Sequence, residues 1–375
     1  LEWRRTAVKF TQFCGVIQLG DLTIEVLPKI ARQERDVLRC QQVLVRLLQV
    51  TGALPPHQVG EATLGQQRHA LLDVFIEHFR GVVAQQMQLG LIRRYVPMED
   101  ELATVRGRID LVRQVRLNAF SPQRVHCRFD EFDIDNPYNQ VLSYVVGMLL
   151  HRTHHPAIKR GLNELLAHLV PASSRSFTPE QVEALVFDRL NQRWQPIFKR
   201  CAEFLRGLHP NVTAGGMPAL ALMFDMNRLF ESYVTWRARR AFKGLQIQPQ
   251  GPRRFLAANQ AGKGVFELRP DISVLKGTQV VLIADAKWKI LSPEERKLGI
   301  ASADLYQLVS YALRYQCQRL ALIYPAMEGL NPGLREKLTI EGSDVQLAIC
   351  SINLAGVLVS GDAVFDELRS WVVEG

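Results

Sequence analysis

Apolar and polar positions along this chain change period several times, and each change marks an element. Gly15 to Leu19 and Leu22 to Leu27 read as strands flanking Gly20-Asp21, a hairpin turn, with Pro28-Lys29-Ile30 closing the second. From Asp36 to Val50 the apolar residues Val37, Leu38, Leu44, Leu47 and Leu48 take helical spacing. Thr51 to Gly65, with Pro55-Pro56, interrupts the pattern. Residues 68–90 carry a wide helical stripe (Leu71, Leu72, Phe75, Ile76, Phe79, Val82, Val83, Met87) that stops at Gly90. Val125 to Phe132 alternates weakly, as a strand does. Asn136 then caps a long apolar helix that has Pro137 at its first position. Helices are also predicted over Ile158 to Val170 and Arg193 to Leu208, with a helix start at Thr178-Pro179 between them.

The Gly-rich stretch Pro210 to Pro218 is the clearest break, and the order of elements changes after it. A helix is expected from Leu220 through Val234, ending near Phe242-Lys243-Gly244. Phe266 to Leu275 roughly alternates, Lys276-Gly277-Thr278 turns the chain, and Val280 to Ala284 is the continuous apolar run of a strand covered on both faces. A polar loop (291–300), a helix (Ala303 to Tyr315), strands (Leu320 to Tyr324, Val345 to Ile352) and a last helix (Ala363 to Val373) complete an α/β order with a mixed sheet. The expectation is an α+β multidomain chain: a β-rich N-terminal segment over 1–60, a mainly helical region over 61–214, and an α/β domain over 215–375.

Length and composition agree with this picture. The 375 residues suffice for two or three cores, and 47% hydrophobic with 22% charged residues is the balance of a folded protein. Net charge is +9, carried by 35 Arg against 11 Lys. Arg suits bidentate contact with phosphate, so nucleic acid is a natural partner, although a solvated basic surface gives the same count. Six scattered cysteines form no C-x-x-C pair and no zinc-like cluster, which points to reduced structural thiols in the cytoplasm. No run approaches the roughly 18 apolar residues of a membrane span. The N-terminus lacks a signal-peptide pattern, and its start at Leu1 leads us to expect a short missing piece. His151 and His155 stand four apart but lack a zincin Glu and are followed by Pro156, so they read as helix-end histidines. The acidic run Asp130 to Asn136 lacks the Gly and distal Glu of a calcium loop.

The candidate chemistry gathers in the hairpin after residue 266. Asp271 follows Pro270 on the first strand, and Asp285 and Lys287 end the second. Side chains alternate along a strand, so Asp285 and Lys287 share a side, and a turn near Gly277 brings Asp271 beside them. Two carboxylates and an ammonium can hold a divalent cation and activate a water. Asp271 and Asp285 would ligate Mg²⁺, with Mn²⁺ as a substitute and the Ala286 backbone carbonyl as a further oxygen. Lys287 would orient or deprotonate the water, or neutralise the developing phosphorane charge. Glu231 sits inside an apolar stripe and either reaches this site as another ligand or closes local hydrogen bonds. Gln307 and Tyr311, one turn apart, either hold the lysine or a phosphate, or simply pack. Lys289 stands nearby in sequence. Glu295-Arg296-Lys297 repeats the acid-x-Lys spacing without a strand to orient it.

These residues carry a resemblance. Pro270-Asp271 … Asp285-Ala286-Lys287 resembles the PD-(D/E)xK nuclease motif. With Trp288-Lys289, Asp304-Leu305-Tyr306-Gln307-Leu308, Tyr311 and Leu322-Ile323-Tyr324-Pro325 it resembles the McrC family, the nuclease subunit of McrBC-type modification-dependent restriction systems. Upstream, Gly15-Val16-Ile17 … Ile24-Glu25-Val26-Leu27-Pro28-Lys29-Ile30, Arg106-Gly107-Arg108-Ile109-Asp110, Asp130-Glu131-Phe132 … Asp135-Asn136-Pro137-Tyr138-Asn139-Gln140 and Phe224-Asp225-Met226-Asn227-Arg228-Leu229-Phe230-Glu231 are similar to further family motifs in order. The resemblance implies a C-terminal restriction-endonuclease-like domain that cuts methylcytosine-containing double-stranded DNA with Mg²⁺. It also implies an upstream region that enters the ring of a McrB-like AAA+ GTPase and stimulates it. GTP would be bound by that partner, in keeping with the absence of a G-x-x-x-x-G-K-[S/T] loop here. Arg106 and Arg108 would then be candidate ring contacts, although an ordinary surface turn has the same pattern. Two other readings stay open: a non-catalytic activating adaptor of such a ring, and a PD-(D/E)xK nuclease of DNA repair or transposition.

Overall fold

In a computed structural model the described residues are 2–4, 7–9, 12–28, 37–52, 70–117, 123–169, 175–214, 217–289, 291, 296–326, 332–354 and 363–373. They fall into two compact units. One holds the described residues up to Val16, from Ile24 to Gly52 and from Met223 onward; the other holds Ile17–Thr23 and Ala70–Leu222. The described residues up to Gly52 are therefore shared between the units. The Pro55-Pro56 break and Glu295 lie outside the described residues.

The chain begins with a short antiparallel pair, β1 (Glu2–Arg4) and β2 (Ala7–Lys9). β3 (Phe13–Leu19) and β4 (Leu22–Val26) follow as neighbours, with Gly20 at φ 58 in the turn between them. α1 (Val37–Val50) buries Val43, Leu44, Val45, Leu47 and Leu48.

The second unit opens with α2 (Leu71–Gln88), whose predicted stripe is buried at Leu72, Phe75, Ile76, Phe79 and Val83. β5 (Arg94–Leu102) was not legible as a strand, because its acidic, Pro-containing sequence lacks alternation. It is held by a continuous nine-residue antiparallel register with β7. Between them lie β6 (Arg108–Ile109) and α3 (Leu111–Leu117), and then β7 itself (Val125–Asp133). α4 (Pro137–Leu150) starts where Asn136 accepts hydrogen bonds from the Tyr138 and Asn139 N–H groups. α5 (Pro156–His168), α6 (Pro179–Glu183) and α7 (Gln195–Arg206) complete the helices, α6 closed by a reciprocal Thr178–Gln181 capping box. Trp194, Phe198 and Leu142 are fully enclosed, each worth roughly 1.5–3 kcal/mol of apolar burial or more.

The described residues of the Gly-rich stretch lie in two paired strands: β8 (Leu208–Ala214) runs antiparallel to β9 (Met217–Asp225), with Ala214 opposite Met217. The helix expected from Leu220 accordingly starts later. α8 (Met226–Ala241) begins where Asp225 accepts from the Asn227 N–H, 2.9 Å. Leu220 and Leu222 belong to β9, and strand pairing overrides their helix-compatible spacing.

β10 (Gln246–Pro249) precedes a separate two-stranded ribbon, β11 (Arg254–Ala258) and β12 (Gly264–Leu268). The single strand expected over Phe266 to Leu275 is thus two strands. Arg269-Pro270-Asp271 breaks the run, and β13 (Ile272–Lys276) joins a different sheet. β14 (Gln279–Ala286), α9 (Ser302–Tyr315) and β15 (Arg319–Pro325) form a strand–helix–strand crossover with the strands parallel. β16 (Gly333–Thr339), β17 (Gln346–Ile352) and α10 (Ala363–Val373) end the described chain. The six-stranded sheet runs β10-β13-β14-β15-β17-β16, with β14, β15 and β17 parallel and the rest antiparallel. Ile283, Leu308, Tyr311, Tyr315, Leu320, Leu322 and Leu347 make the core between α9 and this sheet. Among the described residues no helix is long and apolar enough to cross a membrane.

Candidate active site

The β13–β14 register pairs Ile272 with Ala284, so Asp271 and Asp285 each stand one step beyond the last pair, at the same end of the hairpin. Asp271 Oδ2 accepts from the Ala286 N–H at 2.9 Å. The Asp285 carboxylate is buried, and Lys287 Nζ lies 2.5 Å from its Oδ2. β15 fixes this strand end, because the Lys287 N–H donates to the Ile323 carbonyl at 2.9 Å.

α9 supplies the next layer. Lys287 Nζ lies 3.4 Å from Gln307 Oε1 and 3.7 Å from Asp304 Oδ1. Gln307 Nε2 donates to the Tyr311 hydroxyl at 2.7 Å, and that hydroxyl donates to the Arg269 carbonyl at 3.2 Å. Of the two α9 residues Gln307 reaches the lysine, while Tyr311 holds Gln307 and packs in the core. Lys289 Nζ reaches Asp304 at 3.5 Å, on the flank of the site. From α8, Glu231 accepts a hydrogen bond from Gln250 Nε2, and the Gln250 N–H donates to the Asp271 carbonyl at 2.9 Å. Glu231 thus closes a local hydrogen bond, the second of the two readings open for it, and it is near enough to the acidic pair to feel the Asp285 charge.

Burial and like charge dominate the electrostatics. Burial, then the Asp285 and Glu231 carboxylates, push the Asp271 carboxyl up to about 8. Burial also raises Glu231, with the Asp285 charge adding to it. For Lys287, burial is the largest single effect and disfavours its charge. Asp285, Asp304 and Asp271 together outweigh it and hold the ammonium above its ordinary value.

A divalent cation suits this donor set. Apart from the Lys287 ion pair, neither Asp285 oxygen has a hydrogen-bond donor, an orphaned state that costs free energy unless a cation or water arrives. Among the described residues no three His, Cys, Asp or Glu side chains are gathered at metal-ligand spacing. The protein donors on hand are therefore the Asp271 and Asp285 carboxylates, with Glu231 turned toward Gln250. At Ala286 it is the N–H that is engaged, by Asp271.

The model of the McrBC 5-methylcytosine restriction system component matches residues 8–325. The chain belongs to the McrBC family. Its fold is similar to a chain of the half-complex refined from a tetradecameric assembly of Thermococcus gammatolerans McrB AAA+ hexamers with bound McrC. That likeness has a TM-score of 0.76 at 21% identity and covers 96% of this chain and 83% of that one. A chain of the Thermococcus gammatolerans McrBC complex is similar at a TM-score of 0.50 and 22% identity, over 63% of this chain and 68% of that one. No curated protein matches.

In this McrBC-family chain, Arg106 and Arg108 lie in the other unit. Arg106 pairs with Glu131 at 3.3 Å and lies over the Phe129 ring, 4.3 Å from its centroid. Gly107 is required for the turn: it sits at φ +70, and a Cβ there would meet the Arg128 carbonyl at 2.4 Å. Arg108 is exposed on β6, opposite Arg128. Two residues beside the site were given no role from the sequence, although one of them, Asp304, stands in the family-like run Asp304-Leu305-Tyr306-Gln307-Leu308. Asp304 could have been found by its spacing, one helical turn before Gln307. Gln250 carries no such signal, since only the fold brings its turn beside Glu231.

The crowded acids make a stability prediction. Asp271 titrates near 3.8 when unfolded and near 8 when folded, so the folded state binds the extra proton between these values and stability falls as pH rises through them. Asp271→Asn keeps an acceptor for the Ala286 N–H but removes the charge. Without metal, its melting temperature should match wild type near pH 4 and exceed it at pH 8 by the equivalent of several kcal/mol, on the order of 5 from about four pKa units at about 1.4 kcal/mol each. Adding Mg²⁺ should raise the wild-type midpoint and leave the variant's unchanged. Equal midpoints at pH 8 in metal-free buffer would show that the carboxylates are not in conflict.

Proposed function

We propose that this McrBC-family protein is the nuclease subunit of a modification-dependent restriction system. It hydrolyses phosphodiester bonds in methylcytosine-containing duplex DNA with Mg²⁺, and it stimulates a partner AAA+ GTPase. The observation that carries the reading is the Asp271–Asp285–Lys287 constellation at one end of a buried hairpin, with Gln307 and Tyr311 buttressing the lysine.

When bound, Mg²⁺ supplies charge stabilisation at the scissile phosphate and a water of lowered pKa. Asp271 and Asp285 would hold it, and their mutual repulsion is what such binding relieves. Lys287 keeps its proton in this setting, so it serves better as a cation toward the developing negative charge than as a base. Gln307, fixed by Tyr311, restricts where that ammonium stands. Gln250 orients Glu231, which stands near the acidic pair.

The partner half of the proposal leans on the similar fold of a chain from an assembly of McrB AAA+ hexamers with bound McrC. The second unit, with its β5–β7 ribbon, is the region assigned to ring contact. The test is a reconstitution of the full chain with its AAA+ partner, GTP, Mg²⁺ and duplex DNA with or without 5-methylcytosine. Cleavage should require every component and stop on chelation, and the chain alone should accelerate GTP hydrolysis by the partner. Accelerated GTP hydrolysis with uncut DNA would instead support the activating adaptor.

A further inference from the structure

The β11–β12 ribbon takes no part in the six-stranded sheet, yet it is fastened to the catalytic helix. The Tyr315 hydroxyl of α9 bonds the Leu268 carbonyl at 3.1 Å and the Pro252 carbonyl at 2.5 Å. Arg314 Nε donates to the Phe255 carbonyl at 2.8 Å, and Arg254 donates back to the Arg314 carbonyl at 3.0 Å. The Arg254 guanidinium lies 4.9 Å from the Tyr315 ring centroid. From β12 the chain runs through Arg269-Pro270 directly into Asp271. The ribbon is thus rigidly tied to both halves of the site.

Its exposed side chains are unusual for a ribbon in water. The ladder pairs Phe255 with Glu267 and Ala257 with Val265, and skips Leu256 and Phe266 between them. Leu256 is 41% exposed and Phe266 74%. Phe266 also has φ 58, a left-handed conformation that a bulky residue adopts only under strain. The Phe255 ring, itself partly exposed, lies so close over Gly264 that a Cβ there would meet it at 2.4 Å. Around this apolar knob, Arg253, Lys263, Arg269 and Arg314 are exposed; the ribbon's own acid is Glu267, 3.6 Å from Arg253. The charge beside an acidic catalytic centre is therefore positive, complementary to a polyanion.

We propose that the β11–β12 ribbon is a DNA-gripping element: Phe266 and Leu256 wedge into the minor groove of the duplex, while Arg253, Lys263 and Arg269 hold the flanking phosphates and set the strand over Asp271 and Asp285. This rests on the nuclease reading above. Apolar wedges between base steps are a general way to bend and anchor duplex DNA, and the positive rim supplies the sequence-independent affinity. A strained, exposed Phe gains its partner only when the duplex arrives.

The test uses the full chain and a duplex carrying 2-aminopurine at successive positions, with Ca²⁺ in place of Mg²⁺. Wild type should brighten the probe at one base step, reporting unstacking. Phe266→Gly, which also relieves the left-handed backbone, should lose the brightening and weaken DNA binding roughly tenfold. Phe266→Trp should retain both. Lys263→Ala and Arg253→Ala should each reduce the slope of log affinity against log salt by about one. If Phe266→Gly binds and brightens like wild type, the ribbon is not the grip and the nuclease reading stands untouched. If that variant keeps DNA binding but loses its AAA+ partner in pull-down, the knob docks protein and the proposal is overturned. If wild type does not bind the duplex in this assay while the reconstituted complex with Mg²⁺ still cuts, the grip is overturned and the nuclease reading stands; if the reconstituted complex does not cut, the nuclease reading falls first.

Discussion

Lys287→Ala should lower DNA cleavage by the reconstituted complex about 10²–10⁴-fold while leaving GTP hydrolysis by the partner unchanged. Lys287 Nζ is held at once by Asp285, Gln307 and Asp304, so its charge has a defined place. Truncation removes that charge from a site where burial makes it count. Asp285→Ala should be at least as damaging, because a buried carboxylate without another donor is the best-placed anchor for a cation. The two defects should not add, since both break one functional unit. Single-turnover cleavage and a parallel phosphate-release assay check both halves. Normal cutting by either variant would remove the hairpin from the chemistry. Loss of GTP hydrolysis as well would mean that the variants had damaged the fold or the coupling.

The second large effect lies in the other unit and concerns stability. Asn136 is buried and saturated with hydrogen bonds: its carbonyl oxygen accepts from Tyr138 and Asn139, and its amide faces the carbonyls of Ile92, Asp133 and Ile134. Asn139 Nδ2 reaches two of the same carbonyls, Ile92 and Ile134. One side chain thus fastens the end of β7, the start of α4 and the segment before β5. Asn136→Ala loses the cap and strands buried carbonyls, and should destabilise this unit by about 3–5 kcal/mol. Asn136→Asp keeps the cap but forfeits the amide donors, so it should fall between. Urea unfolding followed by tryptophan fluorescence of Trp194, which is fully buried there, gives the measurement. A loss under about 1 kcal/mol would show that the network is redundant. The family-like run Asp135-Asn136-Pro137-Tyr138-Asn139-Gln140 is therefore explained in large part by folding and not by chemistry.

These two cases show what a sequence makes legible. The β13–β14 hairpin could be read because its apolar run, its turn and its acids are local, and alternation alone puts Asp285 and Lys287 on one side. Asn136-Pro137 was equally local. The boundaries that failed were those decided by distant partners. Arg94 to Leu102 is a strand because β7 pairs with it, and Leu220 lies in a strand because it pairs with Leu208 of β8. Phe266 and Ile272 belong to different sheets because three residues turn the chain between them. Gln250 was invisible for the same reason, its role arising only where two turns meet. Asp271 and Glu231 were named as site residues from sequence, but their mutual crowding is a property of the fold.

In the proposed function Asp271 and Asp285 together hold a divalent cation. The most direct measurement is the anomalous difference density of a crystal of the full chain grown with Mn²⁺. The expected result is a peak at about 2.1–2.3 Å from one oxygen each of Asp271 and Asp285, absent in Asp285→Ala. A crystal that binds Mn²⁺ only elsewhere, with both carboxylates in their metal-free positions, would contradict it.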